Sequence, residues 1–372
     1  MENTRLGKSE AIFLVLTIMV NHSILNLTKT IISSTNSSAL INTIYISILA
    51  IILSYILYAL LKNFPTFDIL DISNFLGGKV LKSIIGILFF SYFIFFTATL
   101  LMNFVYCLQI IYYPNTPTFF IILTFLICAF FVCNLKYNAL YRSNLLIIPF
   151  VVLSIFILFF GNMREFSSEN MFPLLGNGIN TTFLNGISNL FIFQGLIYIL
   201  FLPPLLKDYS QLKKISIISI LFSAIYLFFN IAIILFLFGP NVTNTLLMPS
   251  YSAVRYIEFG TFFQRLDSVF LLTWIISFIS YLSISINTCC NILKKTTTIK
   301  SVKFSTILVC FFILMVSLVS SSYAVSTFLI DIVYKYAFFF IIIISIIVLL
   351  FSSSLKHFKT KRIHSNPKNY IV

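Results

Sequence analysis

The chain has 372 residues, of which 59% are apolar and only 9% charged, and its formal net charge is +14. A soluble domain carries about a quarter charged residues, so the composition excludes an aqueous globular protein and makes lipid the main solvent, where only helices or a closed barrel satisfy the backbone. The positive excess, which would suggest nucleic acid in a soluble protein, is read here as topological charge facing cytoplasm and anionic lipid.

Ten apolar stretches are candidates for bilayer-spanning helices, which need roughly 20 mostly apolar residues: 11–32, 39–61, 84–106, 118–132, 145–160, 183–201, 215–238, 263–286, 304–319 and 334–350. They are too long and too uniformly apolar for barrel strands. The first stretch opens a long series of others and is not read as a cleavable signal.

Basic residues collect in every second gap. Arg5 and Lys8 precede span one, Lys62, Lys79 and Lys82 follow span two, and Lys136 and Arg142 follow span four. Lys207, Lys213 and Lys214 follow span six, Lys294, Lys295, Lys300 and Lys303 follow span eight, and five more lie in the tail. Lys and Arg mark cytoplasmic loops, so the pattern predicts ten spans with both termini cytoplasmic. The parts are a cytoplasmic N-terminus (1–10), a membrane domain (11–351) and a cytoplasmic tail (352–372).

Span one carries a polar run at its middle: Asn21, His22 and Ser23, then Asn26, Thr28 and Lys29. Each polar group costs free energy in hydrocarbon unless paired. The gap 62–83 mixes Phe67, Ile69, Leu70, Ile72 and Phe75 with Asp68, Asp71 and Lys79, the pattern of an amphipathic interfacial segment. On span three Tyr92 and Phe96 are one turn apart. Cys107, Cys128, Cys133, Cys289, Cys290 and Cys310 lie in spans or at their ends, with no zinc-like spacing, and read as small apolar filler. Span six carries Asn185, Gly186 and Ser188, then Phe193, Gln194 and Gly195, and ends at Pro203-Pro204. Span eight opens with Arg265 and Asp267, followed by Thr273 and Ser277, which are four apart and share a face.

Ten spans divide into two halves of five, repeat one at about 11–160 and repeat two at about 183–350. Membrane transporters of the LeuT kind are built from two inverted five-helix repeats, and their first and sixth helices are interrupted at mid-membrane to bind substrate. The polar runs in spans one and six sit at matching positions in the two halves. They predict an all-α, LeuT-like 5+5 inverted repeat with helices 1 and 6 interrupted near residues 21–23 and 193–195. The plainer alternative is helix–helix packing through small and polar residues.

The candidate ligand contacts follow from that frame. Asn21, His22 and Ser23 either meet a carboxylate at an opened helix, where free N–H groups and the dipole favour an anion, or bond across helices. His22 is also a candidate proton site. Tyr92 and Phe96 either pack on a ligand or are aromatic filler. Phe193, Gln194 and Gly195 mark the sixth-helix break, where the Gln amide can meet a carboxylate or an ammonium. Thr273 and Ser277 either approach the ligand or back-bond within their helix. Arg265 and Asp267, two apart, do not face each other and are read as fixing the outer end of span eight to loops or to another subunit. There is no Walker loop, nucleophile elbow, metal-ligand cluster or mid-membrane carboxylate pair, so neither enzyme activity nor a cofactor is expected.

Several strings resemble the spore germination permease family, the membrane B subunit of nutrient germinant receptors in the amino acid/polyamine/organocation superfamily. Arg265-Leu266-Asp267, with Trp274 following, is similar to the family's motif opening the eighth helix. Tyr113-Pro114-Asn115-Thr116-Pro117 is similar to its Pro-x-Thr-Pro turn, and Pro173-Leu174-Leu175-Gly176-Asn177-Gly178 to its loop before helix six. The resemblance covers almost the whole chain. It departs in helix one, where Asn21-His22-Ser23 stands in place of small residues and a Pro, in helix three at Met102 and Asn103, and in helix six, where Leu196 rather than an acid follows Gly195. The resemblance implies a receptor subunit in the inner membrane of a bacterial endospore. It would bind a small nutrient, an amino acid, and signal to partner A and C subunits, without nucleic acid. The alternative is a proton- or sodium-coupled amino-acid transporter on the same fold.

Overall fold

The computed structural model describes residues 6–22, 27–135, 137–257, 266–299, 301–319, 325, 328 and 335–365. Ser23, Arg265 and the other seven residues of the stretch 258–265 lie outside the described residues, as does the rest of the tail beyond 365. Among the described residues the regular structure is helical, apart from one parallel backbone bridge between Leu6 and Leu206. In that bridge Leu6 N–H donates to Leu205 O at 2.7 Å, and Lys207 N–H donates to Leu6 O at 3.0 Å.

Among the described residues seven helices are long and apolar enough to cross a membrane. The predicted spans one, four and six do not yield such a helix, and each has a local reason. Span one gives two shorter helices, α1 (Lys8–His22) and α2 (Thr28–Thr35), on either side of residues 23–26. Span four gives α5 (Thr118–Cys133), which has 16 residues. Span six changes its winding twice: a π turn at Asn180–Leu184, a 3-10 stretch at Asn185–Phe193, then the five-residue α7 (Gly195–Ile199).

The remaining elements follow the apolar pattern. Asn36, at φ 58°, turns the chain from α2 into α3 (Ala39–Leu61). Along α3, Ile44, Ile48, Ile52 and Tyr55 are exposed, while Asn42, Thr43, Ala50 and Ser54 are buried. Large apolar groups outward and small or polar groups inward is the arrangement of a lipid-facing helix, whose neighbours are held by close packing and hydrogen bonds. Helix α4 (Ile69–Ile111) has 43 residues in two pieces joined at Gly77-Gly78, and the longer piece, about 50 Å of helix, exceeds what a bilayer core requires. Its first turns are the predicted interfacial segment. Asp68 caps them, accepting from Leu70 N–H and Asp71 N–H, and Gly77-Gly78 ends them, since Gly78 at φ 66° adopts a conformation that side chains disfavour. Helix α6 (Tyr137–Asn162) carries Pro149 in its interior. Helix α8 (Leu212–Thr245) kinks at Gly239-Pro240 before the short α9 (Pro249–Arg255). Helices α10 (Leu266–Thr296), α11 (Val302–Val319) and α12 (Phe338–Ser365) complete the bundle.

Helix α1 packs inside the bundle. It is buried along most of its length and touches α6, α7, α8 and α10. A helix apolar on all sides belongs inside a bundle, and α1 ends on the polar pair Asn21 and His22.

Candidate functional site

The end of α1 delivers two of the predicted contacts into a fully buried environment. Asn21 Nδ2 donates to Thr17 O at 2.8 Å and to Ser277 Oγ on α10 at 2.9 Å. The two predicted residues Asn21 and Ser277 therefore meet. The imidazole of His22 stacks on Phe96 of α4, with ring centroids 4.4 Å apart and planes 28° apart. It also meets Tyr281 of α10 edge-on, at 5.2 Å and 85°. Phe96 in turn stacks on Tyr92, at 5.6 Å and 12°. Tyr92, Phe96 and His22 form one aromatic column, closed at its side by Tyr281.

One turn below, a polar hub ties the same helices together. Asn144 Oδ1 on α6 accepts from Thr17 Oγ1 at 2.8 Å and from Ser280 Oγ at 2.7 Å. Asn144 Nδ2 is satisfied by Leu140 O. Every one of these groups is buried, so the hub links α1, α6 and α10 at one point without a charge.

The sixth-helix segment crosses α1 at Gly195. A Cβ there would lie 2.4 Å from Met19 Cε, 2.8 Å from Met19 Cγ and 3.1 Å from Val15 Cγ1. The glycine lies directly against the side chains of α1, so a larger side chain at 195 would collide with α1 rather than fill open space. Phe193 is buried in the core beside it. Gln194, at the junction of the 3-10 stretch and α7, is 2% exposed, and its Oε1 is buried with no hydrogen-bond partner among the described residues. A buried carbonyl left without a donor costs about 1–3 kcal/mol. Farther out on the same segment, Asn189 Nδ2 donates to Ser34 Oγ on α2 and to Asn42 Oδ1 on α3, at 3.0 and 2.9 Å. Both α1 and α2 thus contact the sixth-helix segment.

The other predicted residues separate. Thr273 Oγ1 donates back to Val269 O, and Thr273 lines an outward apolar groove with Phe150, Leu153 and Val254, away from His22. It shares a helix side with Ser277, but the spans around α10 leave only the deeper of the two beside α1. Asp267 accepts from the Tyr251 hydroxyl at 3.2 Å, with the Tyr112 hydroxyl at 3.5 Å, and so ties the start of α10 to α9 and to the end of α4. Ser23 and Arg265 fall outside the described residues. Tyr281, Asn144, Thr17 and Asn189 were missed in the sequence. Tyr281 carried a signal, since it continues the Thr273–Ser277 spacing by one more turn. Asn144 carried none, because it lies beside a loop rich in polar residues.

A second cluster lies at the opposite end of α10. Lys295 Nζ donates to Asp68 Oδ2 at 2.6 Å and to Asp71 Oδ2 at 2.5 Å. Ile69 N–H, in the first turn of α4, donates to Leu200 O just beyond α7. The capped start of α4 therefore holds the ends of spans six and eight together. Burial pushes the Asp68 carboxyl up to about 6, although the neighbouring Lys295 pulls the other way. Among the described residues no group of three or more His, Cys, Asp or Glu could hold a metal ion.

Comparison with known proteins matches residues 5–322 to the model of the family described as spore germination protein. The chain is similar to spore germination protein A2 of Bacillus subtilis (strain 168), 28% identical over 222 residues, which is 59% of this chain and 60% of that protein. It is also similar to the putative spore germination protein YfkT of the same organism, at 25% over 56% of each chain. Spore germination protein YndE, also from that organism, is 24% identical over 73% of this chain and 76% of its own length. The chain thus spans less than two thirds of the first two of these relatives. With a match over most of its length and the apolar helices to carry it, the chain belongs to the spore germination protein family.

Proposed function

We propose that the protein is the membrane subunit of a spore nutrient germinant receptor. It binds a small germinant, an amino acid, where spans one and six are irregular, and passes a conformational shift to partner subunits of the A and C kind. In this reading the seven long helices, the two halves of span one, α5 and the sixth segment form a ten-span LeuT-like 5+5 repeat. Both termini face the cytoplasm, and the membrane is the inner membrane of the endospore. Several facts support it: the family membership, the crossing of the two irregular segments at Gly195, and the meeting of Asn21 with Ser277.

The observation that carries the reading is the buried Oε1 of Gln194, without a hydrogen-bond partner among the described residues, at the junction of two windings. An ammonium or hydroxyl donor on a ligand satisfies it. Gln194→Met keeps the side-chain length and removes the amide. Loss of one such hydrogen bond, ~1.4 kcal/mol, corresponds to about tenfold in affinity. Spores carrying the variant are expected to need about ten times more germinant for half-maximal germination, with the protein at its normal level in spore membranes. An unchanged dose response would move the site elsewhere. Concentrative, proton- or sodium-driven uptake of an amino acid by the purified chain in liposomes would replace the receptor reading with that of a coupled transporter.

A further inference from the structure

The most unusual side chain of the site is the imidazole that fills it. His22 is 0% exposed and is contributed by the last residue of α1, whereas the rings around it come from α4 and α10. Those rings are held independently of it. Phe96 is stacked on Tyr92, and Tyr92 packs on Phe93. Tyr281 packs on Phe278, which is stacked on Phe104 at 4.2 Å and 15°. One face and one edge are therefore presented to a flat ring by two helices that do not depend on that ring for their positions. Offset-stacked and edge-to-face partners are what aromatic quadrupoles favour.

We infer that the space between Phe96 and Tyr281 is a stacking slot for a planar aromatic or heteroaromatic group, and that His22 is its tethered occupant. This rests on the reading of the irregular segments as the ligand site and narrows it to a ligand class. The ligand carries a flat ring, as an aromatic amino acid, an imidazole or a nucleobase does, and it competes with His22 for one position. A tethered ring competes as though present at millimolar concentration or more, so binding requires the end of α1 to withdraw. That couples occupancy of the slot to movement of a helix that touches α6, α7, α8 and α10.

The test uses the full chain, purified in detergent, with 4-methylimidazole as the probe. His22→Ala removes the tethered ring and leaves a cavity walled by Phe96 and Tyr281. Small apolar cavities of this kind, on the order of 150 Å³, bind free aromatic molecules. The variant is expected to melt lower than wild type and to regain about 2–4 °C in millimolar 4-methylimidazole. Wild type is expected not to respond, nor the variant to isobutanol. Adding Phe96→Ala to the variant is expected to abolish the gain. The inference is overturned if the variant ignores the probe, if wild type responds equally, or if the gain survives loss of Phe96. Should the alanine variant fail to accumulate, growth with the probe reads the same quantity. Restored accumulation supports the slot, and equal loss with and without the probe overturns it. Because binding is measured on the purified chain, a negative result here leaves the Gln194 dose response standing. An unchanged dose response in that variant likewise leaves the slot standing.

Discussion

Gly195→Trp is expected to abolish the nutrient response mediated by this protein while the chain still inserts into the membrane. Span six packs so closely on the side chains of α1 at this point that even a Cβ meets Met19 and Val15. The nearest atom is the terminal methyl of Met19, which can swing aside, but Met19 Cγ at 2.8 Å clears the site only through a change of its χ1 rotamer within a packed core. Gly195→Ala is therefore expected to cost about 1–3 kcal/mol as an overpacked site and to raise the germinant requirement. Met19→Ala in the same chain should recover most of that loss, since the two side chains then share one space. An indole has no such remedy and separates the two segments outright. Germination curves paired with immunoblots of spore membranes check this. Normal germination by Gly195→Trp at normal protein level would show that the crossing plays no part in the response.

The second large effect is expected at Lys295. Replacing it with methionine leaves Asp68, almost fully buried, beside Asp71 with no cation. Breaking such a pair by removing one partner costs on the order of 3 kcal/mol. Asp68 itself gives the pH dependence. Its folded pKa lies at about 6, above the ordinary 3.8, so the folded chain holds a proton between those values that the unfolded chain has released. The contribution of this group to stability is complete below the ordinary value and is lost as pH rises through about 6. Asp68→Asn removes that titration. The melting temperature of the purified variant should vary less between pH 4 and 6 than that of wild type. A slope equal to that of wild type would place the titrating group elsewhere.

The sequence carried the parts of this architecture that depend on solvent. Long apolar stretches became helices because lipid offers no other way to satisfy the backbone. The interfacial pattern around Asp68 and Ile72 became the capped first turns of α4, and Gly77-Gly78 ended them where a helix must change direction. The polar run of span six falls on its changes of winding, that of span one runs into residues outside the described ones, and Asn21 did find Ser277 across 256 residues. What stayed hidden depends on partners distant in the chain. Thr273 and Ser277 have the same spacing signal, yet only Ser277 lies beside α1, because neighbours on the other face of α10 decide which turn is inside. Asn144 resembles any loop-flanking asparagine until Thr17 and Ser280 converge on its carbonyl. The role of Gly195 was legible as a break but not as a crossing, since only the approach of Met19 shows what the missing side chain makes room for.

The bridge between Leu6 and Leu206 has a mechanical consequence. Its bonds run between main chains, from Leu6 to Leu205 and from Lys207 to Leu6, so they survive almost any change of side chain at these positions. The start of span one is thereby stitched to the chain just past span six, and a displacement of either segment is transmitted as tension on the other. Such a seam can persist among relatives whose sequences have drifted apart. Only a change that removes a backbone donor cuts it, as proline does. Lys207→Pro removes one of the two bonds and is expected to loosen the seam, and Leu6→Pro beside it removes the other and is expected to let the two segments move independently.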